Sequence, residues 1–171
     1  MAVHTRLIKR EISDILSVYR IGNLLNFSGI QEGIENTNYK IKTTNNYYIL
    51  TIFEERVNKK NLPFFLNLML NCSKKKICCP KPILDTSGKL TNNFKKKKIA
   101  LFSFLTGKSK KNWSEINCFD VGKTLGEFHT VNKSFKDKIS NEFGLVFWKE
   151  IFKKMDRLKL DTIIPGIHKL L

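Results

Sequence analysis

The residues best placed to do chemistry lie in one segment, Ser28-Gly29-Ile30-Gln31-Glu32-Gly33-Ile34-Glu35-Asn36-Thr37-Asn38-Tyr39, with two glycines four residues apart. Glycine lets backbone N–H groups reach phosphate oxygens with no Cβ in the way. Asn36 and Asn38 add side chains that can hydrogen-bond a phosphate or hold the loop in shape. On the glycines alone an ordinary hairpin turn is the simpler reading. The histidines are His4, His129 and His168, and none has Asp two places later. His129 reads as a helix residue near the core.

The surrounding elements would have to hold that loop. Ile12, Ile15, Leu16 and Tyr19 recur at helical spacing, which predicts a helix over 8–20 ending before Gly22. The period then changes. Residues 24–30, 38–43 and 47–53 are short, apolar or alternating, and Asn45-Asn46 is turn chemistry, so three antiparallel strands are expected. A helix follows over about 60–75, with Asn61 as its cap and Pro63 in its first turn. Pro80 and Pro82 stop it, and Ile83-Leu84-Asp85 leads into the turn Thr86-Ser87-Gly88. Residues 99–105 read as a buried strand. Ser114 caps a helix with Cys118, Val121, Leu125 and Phe128 on its apolar side. A second helix carries Phe147, Trp148, Ile151, Phe152, Met155 and Leu158, and a third begins near Pro165. The wide apolar stripe from Phe147 to Leu158 predicts self-association when uncovered.

A chain of 171 residues with 42% hydrophobic residues and 13 Phe can build a core and is not a disordered tail. It has no run of about 18 apolar residues and no secretory leader pattern, so a cytoplasmic protein without a membrane partner is expected. Cys72, Cys78, Cys79 and Cys118 have no C-x-x-C spacing and read as reduced thiols, with no metal site implied. The net charge of +16 raises nucleic acid as a partner. The excess is lysine in runs (74–76, 95–98, 108–111) with little Arg, and Arg is the residue favoured for bidentate recognition. Solvated Lys-rich loops in a chain biased toward Lys, Asn and Ile are therefore expected, with nucleic acid a minor alternative and an anionic nucleotide compatible.

Several stretches together resemble the homoserine kinase family of the aminoglycoside phosphotransferase and choline kinase-like superfamily. They are residues 27–39, Tyr48 to Glu54, Leu62-Pro63-Phe64-Phe65-Leu66 with Leu68-Met69, Cys79-Pro80-Lys81-Pro82, Phe104-Leu105-Thr106-Gly107 and Leu125-Gly126-Glu127-Phe128-His129. The resemblance runs from Met1 nearly to the end. It implies an α+β protein-kinase-like fold, an antiparallel β-sheet small lobe with one helix over 1–105 followed by the start of a helical lobe over 106–171. It also implies ATP-dependent phosphorylation of the L-homoserine hydroxyl in threonine biosynthesis, with ATP and Mg²⁺ as cofactors. Gly29, Ile30, Glu32, Gly33, Asn36 and Asn38 would cover the phosphates. Thr51 stands where protein kinases carry a lysine for the α- and β-phosphates. Ser103, Phe104 and Leu105 would form the hinge that meets the adenine edge. Lys40, Lys42 or Arg56 would be the cations nearest the phosphates. The helix over 60–75 has no acidic residue for the usual ion pair. The family's catalytic and metal residues lie on an H-x-D-x-x-x-x-N loop and a later Asp. Neither occurs here, so no catalytic residue is assigned, and the chain reads as truncated and inactive alone. The alternatives are a choline-, aminoglycoside- or methylthioribose-type kinase and a basic nucleotide- or nucleic-acid-binding module.

Overall fold

In the computed structural model the described residues are 3–33, 35–55, 58–108, 110–141 and 143–154. They form two compact units, divided between Asp137 and Lys138.

The first unit is built on an antiparallel sheet. β1 (Leu24–Ile30), β2 (Asn36–Thr43) and β3 (Tyr47–Phe53) follow as hairpins, and β6 (Lys97–Ser103) returns to pair with β3. Two short strands, β4 (Pro82–Ile83) and β5 (Asn92–Phe94), pair with β6 on its other side. The three strands expected over residues 24–53 are therefore present, and β2 starts two residues earlier than its alternation suggested.

Strand residues point alternately to opposite faces, and the sequence uses both phases. One phase sends Tyr39, Ile41, Leu50, Ile52, Ile99 and Leu101 against α1 (Lys9–Leu16), where they bury Ile12, Ile15 and Leu16. Burying each such side chain stabilises by about 1.5–3 kcal/mol. The other phase sends Phe53, Ala100 and Phe102 against Leu62 and Leu66 of α2 (Leu62–Lys74).

α1 is shorter than the expected 8–20. The helix ends at Leu16, and Tyr19 and Ile21 reach the core from the turn that follows. At Gly22 φ is +84°, and an added Cβ would lie 2.3 Å from Thr44 Oγ1, so glycine is required there. Asn61 is the N-cap of α2 as expected but makes no side-chain capping hydrogen bond there; the Asn58 side chain accepts from the Lys60 N–H at 3.2 Å and starts a 3-10 turn, Lys59–Asn61, that runs into α2.

The run Lys95–Lys98, expected as a solvated loop, is instead a tight hairpin. Lys95 and Lys96 are its two turn residues, with φ of +44° and +64° as a primed turn needs, and Lys97 and Lys98 belong to β6. Lys97 then reaches the α1 side of the sheet and pairs with buried Glu54. Glu54 also accepts from Thr37 Oγ1 at 2.6 Å and Thr5 Oγ1 at 2.7 Å, and Thr37 Oγ1 accepts from the His4 and Thr5 N–H groups. This network clamps the N-terminal segment across the sheet. Burial pushes the Glu54 carboxyl up, but the Lys97, Thr37 and Thr5 hydrogen bonds outweigh it and hold the group below its ordinary value.

Ser114 caps α3 (Glu115–Asn132) as expected, its Oγ accepting from the Asn117 N–H. The C-terminal end of α3 meets α2 through polar contacts. Asn71 donates to Asn132 Oδ1 at 2.7 Å, and the Lys75 ammonium donates to the Val131 carbonyl and to Ser134 Oγ. A cation at a helix C-terminus also complements the helix dipole.

The second unit contains α4 (Leu145–Lys154), whose Phe147, Trp148 and Phe152 form a continuous run of ring contacts with Phe143 just before the helix. Met155, Leu158 and the helix expected near Pro165 lie outside the described residues.

Candidate nucleotide-binding face

The α2-facing side of the sheet becomes an open groove toward the β1–β2 end. There the same strand phase carries Ser28 and Ile30 of β1, Asn38 and Lys40 of β2, and Ile49 and Thr51 of β3 in register. Thr51 pairs across from Asn38, and its hydroxyl donates to Asn38 Oδ1 at 2.7 Å. The two residues expected on the phosphate side are thus brought together, with Thr51 itself buried.

Asn36 opens β2 on this same face. Its Oδ1 is buried and has no hydrogen-bond partner among the described residues. A phosphate offers only acceptors, so Oδ1 as placed does not match one. Turned about χ2, the amide presents its NH₂ instead, and a phosphate oxygen becomes the fitting partner. Glu32 and Gly33 sit in the exposed connection between β1 and β2, where Gly33 has φ of +102°. Ile30 closes β1 opposite Asn38.

Gly29 is on the other face. A Cβ there would lie 2.9 Å from Val3 Cγ2 and 3.7 Å from the Tyr39 ring, so the residue makes room for the N-terminal segment.

The cations near the groove point away from its loop end. Lys40 Nζ lies 4.3 Å from the Phe104 ring centre and 4.9 Å from that of Tyr47, and Lys42 Nζ lies 5.8 Å from Tyr47. Each is a cation–π contact at the strand end farther from the glycine loop. Tyr47, Lys40, Lys42 and Ser28 line a shallow cleft of about 280 Å³. Arg56 lies outside the described residues.

Ser103 ends β6 and is pinned to the segment before β4. Its N–H donates to the Lys81 carbonyl at 2.9 Å, and its Oγ accepts from the Lys81 N–H at 2.8 Å. The Phe104 N–H donates to the Tyr47 carbonyl at 3.4 Å, and its ring packs on Tyr47 at 5.9 Å. Leu105 is exposed. The hinge segment is therefore anchored at its start and open from Leu105 onward. Among the described residues no group of three His, Cys, Asp or Glu is arranged to hold a metal ion, and no helix is long and apolar enough to cross a membrane.

Sequence reasoning missed the Glu54–Lys97–Thr37 network. The signal was present: Glu54 continues the phase of Leu50 and Ile52, and Lys97 continues that of Ile99 and Leu101. A charge of each sign in the inward phase of neighbouring strands is a pairing signature.

A twisted antiparallel sheet with one helix on its open side, followed by a hinge strand and helices, is the small-lobe architecture of protein-kinase-like phosphotransferases. Residues 26–159 match the phosphotransferase enzyme family, and the chain belongs to that family. It is 36% identical over 171 residues to the homoserine kinase of Rhodopseudomonas palustris, covering 100% of this chain and 52% of that protein. It is 35% identical over 167 residues to the homoserine kinase of Methylobacterium radiotolerans (98% and 52%), and 35% identical over 169 residues to that of Bartonella henselae (99% and 53%). The chain thus spans about half the length of the curated relatives it matches. Its fold is that of spectinomycin phosphotransferase APH(9)-Ia, solved with ADP and spectinomycin, with a TM-score of 0.60 at 17% identity over 87% of this chain and 46% of that one. The AMP-bound complex of the same enzyme gives 0.61 at 18% identity over 89% and 49%.

Proposed function

We propose that this chain is the nucleotide-binding portion of a cytoplasmic homoserine kinase, which takes ATP with Mg²⁺ and phosphorylates the L-homoserine hydroxyl on the route to threonine. Residues 1–105 form its nucleotide-binding lobe, and residues 106–171 begin the helical lobe. The observation that carries the reading is the likeness to homoserine kinases along the whole chain, joined to an open sheet face bearing Asn36, Asn38 and Thr51.

ATP supplies the phosphoryl group. The N–H groups of Gln31, Glu32 and Gly33 cover its phosphates, with the Asn36 amide turned to donate. Ile30 and Ile49 wall the base, and the base edge meets the Phe104 carbonyl and the Leu105 N–H, since the Ser103 and Phe104 N–H groups are already committed. Thr51 holds Asn38 in place and brings no charge. Phosphate neutralisation therefore falls to backbone dipoles and the overall positive field. Mg²⁺ ligands and the group that orients the attacking hydroxyl come from outside this chain.

Two measurements test the reading. Calorimetric titration of the chain with ADP should give saturable binding that Asn36→Ala and Asn38→Ala each weaken several-fold. A chimera joining the chain to the carboxy-terminal half of the R. palustris homoserine kinase should release ADP when given homoserine, while the chain alone should not. No ADP binding to the chain, or a chimera that prefers spectinomycin to homoserine, would overturn it.

A further inference from the structure

A second cavity lies on the same α2-facing side of the sheet, beyond the residues assigned to the nucleotide, between the start of α2 and the loop that leads into β5. Its volume is about 540 Å³, and Lys59, Lys89 and Lys98 line it with the apolar side chains of Leu62, Leu66 and Leu90. None of its lining residues is acidic. Three ammonium groups around a space of this size repel one another, and that repulsion is relieved by a bound anion.

Two carboxylates bond to lining side chains, Asp85 to Asn92 and Asp137 to Asn67, and neither forms an ion pair with these lysines. Asp85 is folded into its own turn, where its Oδ1 accepts from the Ser87 N–H, the Ser87 hydroxyl and the Lys89 N–H, each at 2.8 Å. Its Oδ2 accepts from the Asn92 side chain at 3.1 Å. The Lys89 N–H bond first, then the Ser87 and Asn92 bonds, outweigh desolvation and hold the carboxyl at about 2. Among the described residues only Lys95 and Lys97 form ion pairs with carboxylates. Leu62 and Pro63 of the first turn of α2 also line this space, and the positive end of a helix favours an anion. A second lining side chain, Asn67, is engaged with Asp137 at 3.4 Å.

We propose that this cavity binds a small phosphate monoester, its phosphate among Lys59, Lys89 and Lys98 and a short apolar part on Leu62, Leu66 and Leu90. The proposal does not rest on the nucleotide reading. The twelve lining residues include none assigned to the nucleotide face, so the two sites fail or hold separately.

The test is calorimetric titration of the full chain with inorganic phosphate and with phenyl phosphate at low ionic strength. Both probes should bind, and phenyl phosphate should bind about fivefold more tightly or better because its ring covers apolar surface. Lys59 and Lys89 are exposed, so K59Q/K89Q should keep the wild-type melting temperature while weakening phenyl phosphate about tenfold or more. Lys89→Gln alone should give an intermediate loss. K108Q/K123Q, two lysines elsewhere on the surface, should change the affinity less than about twofold. Equal binding by wild type and K59Q/K89Q would overturn the proposal. So would an equal loss in K108Q/K123Q, or a loss of phenyl phosphate binding in Asn38→Ala, which would move the ligand to the nucleotide face.

Discussion

β3 and α3 are similarly apolar to read and opposite in the structure. β3 buries Leu50 and Ile52 completely, at 0% exposure. α3 leaves Ile116 and Phe119 at 71% and Val121 and Leu125 above half. Only Phe128 of its expected apolar side is partly covered. The contrast teaches that an apolar pattern announces a face in need of a cover without saying which polypeptide provides it. For β3 the cover is local: α1 lies on one side and α2 on the other. For α3, the hydrogen bonds to α2 lie at its C-terminal end, where Asn132 and the Val131 carbonyl meet Asn71 and Lys75, and mid-helix Val121 and Leu125 only line an open cleft with residues 77–79.

The largest expected effect breaks the covered side. Leu50→Ala should cost about 3 kcal/mol, because it opens a cavity where the neighbours on β2, β6 and α1 cannot close in; urea unfolding followed by circular dichroism measures it. A loss under about 1 kcal/mol would mean that the sheet's α1 face is far looser than its burial implies.

Glu54→Gln should come next, at about 2 kcal/mol, since it strips a charged hydrogen-bond acceptor from Lys97, Thr37 and Thr5. The sign with pH follows from a lowered folded value. The carboxylate's stabilisation is complete above the ordinary glutamate range and is lost as pH falls through the lowered value of the folded state. Melting temperatures of wild type and Glu54→Gln should therefore converge on acidification, and a constant gap from neutral pH downward would contradict the network.

The smallest effect on stability sharpens the other side of the contrast. Phe119→Ser with Leu125→Ser should change unfolding free energy by about 0.5 kcal/mol or less, as befits solvent-facing positions. The same pair should shift a self-associating chain toward monomer in sedimentation at micromolar concentration. A large loss of stability would show that α3 is covered after all.

Much of the sheet was legible because β-strand alternation is a short-range signal. Residues 24–53 carry it in three consecutive runs, and Asn45-Asn46 marks the turn. β5 was not legible. Four consecutive lysines look like a solvated run, and nothing local says that two of them form a turn while Lys97 faces inward toward Glu54. In the candidate site, strand alternation puts Asn38 and Thr51 on one face, but counting across an Asn45-Asn46 turn would set Asn38 opposite Phe53. The observed partner, Thr51, follows from a turn centred one residue earlier, at Thr44-Asn45. Gly29 could not be assigned to a face, because its neighbour is Val3, twenty-six positions away. The orientation of Lys40 was not legible for a similar reason: it is decided by the rings of Tyr47 and Phe104, which only the folded sheet brings beside it.

The Lys95-Lys96 turn leaves a mark on how the protein assembles. Left-handed backbone at two successive lysines costs about 1–2 kcal/mol each, so this hairpin has little tendency to close by itself. The β3 edge and the Glu54–Lys97 pair supply what the turn itself lacks, so the hairpin owes its place to partners distant in sequence.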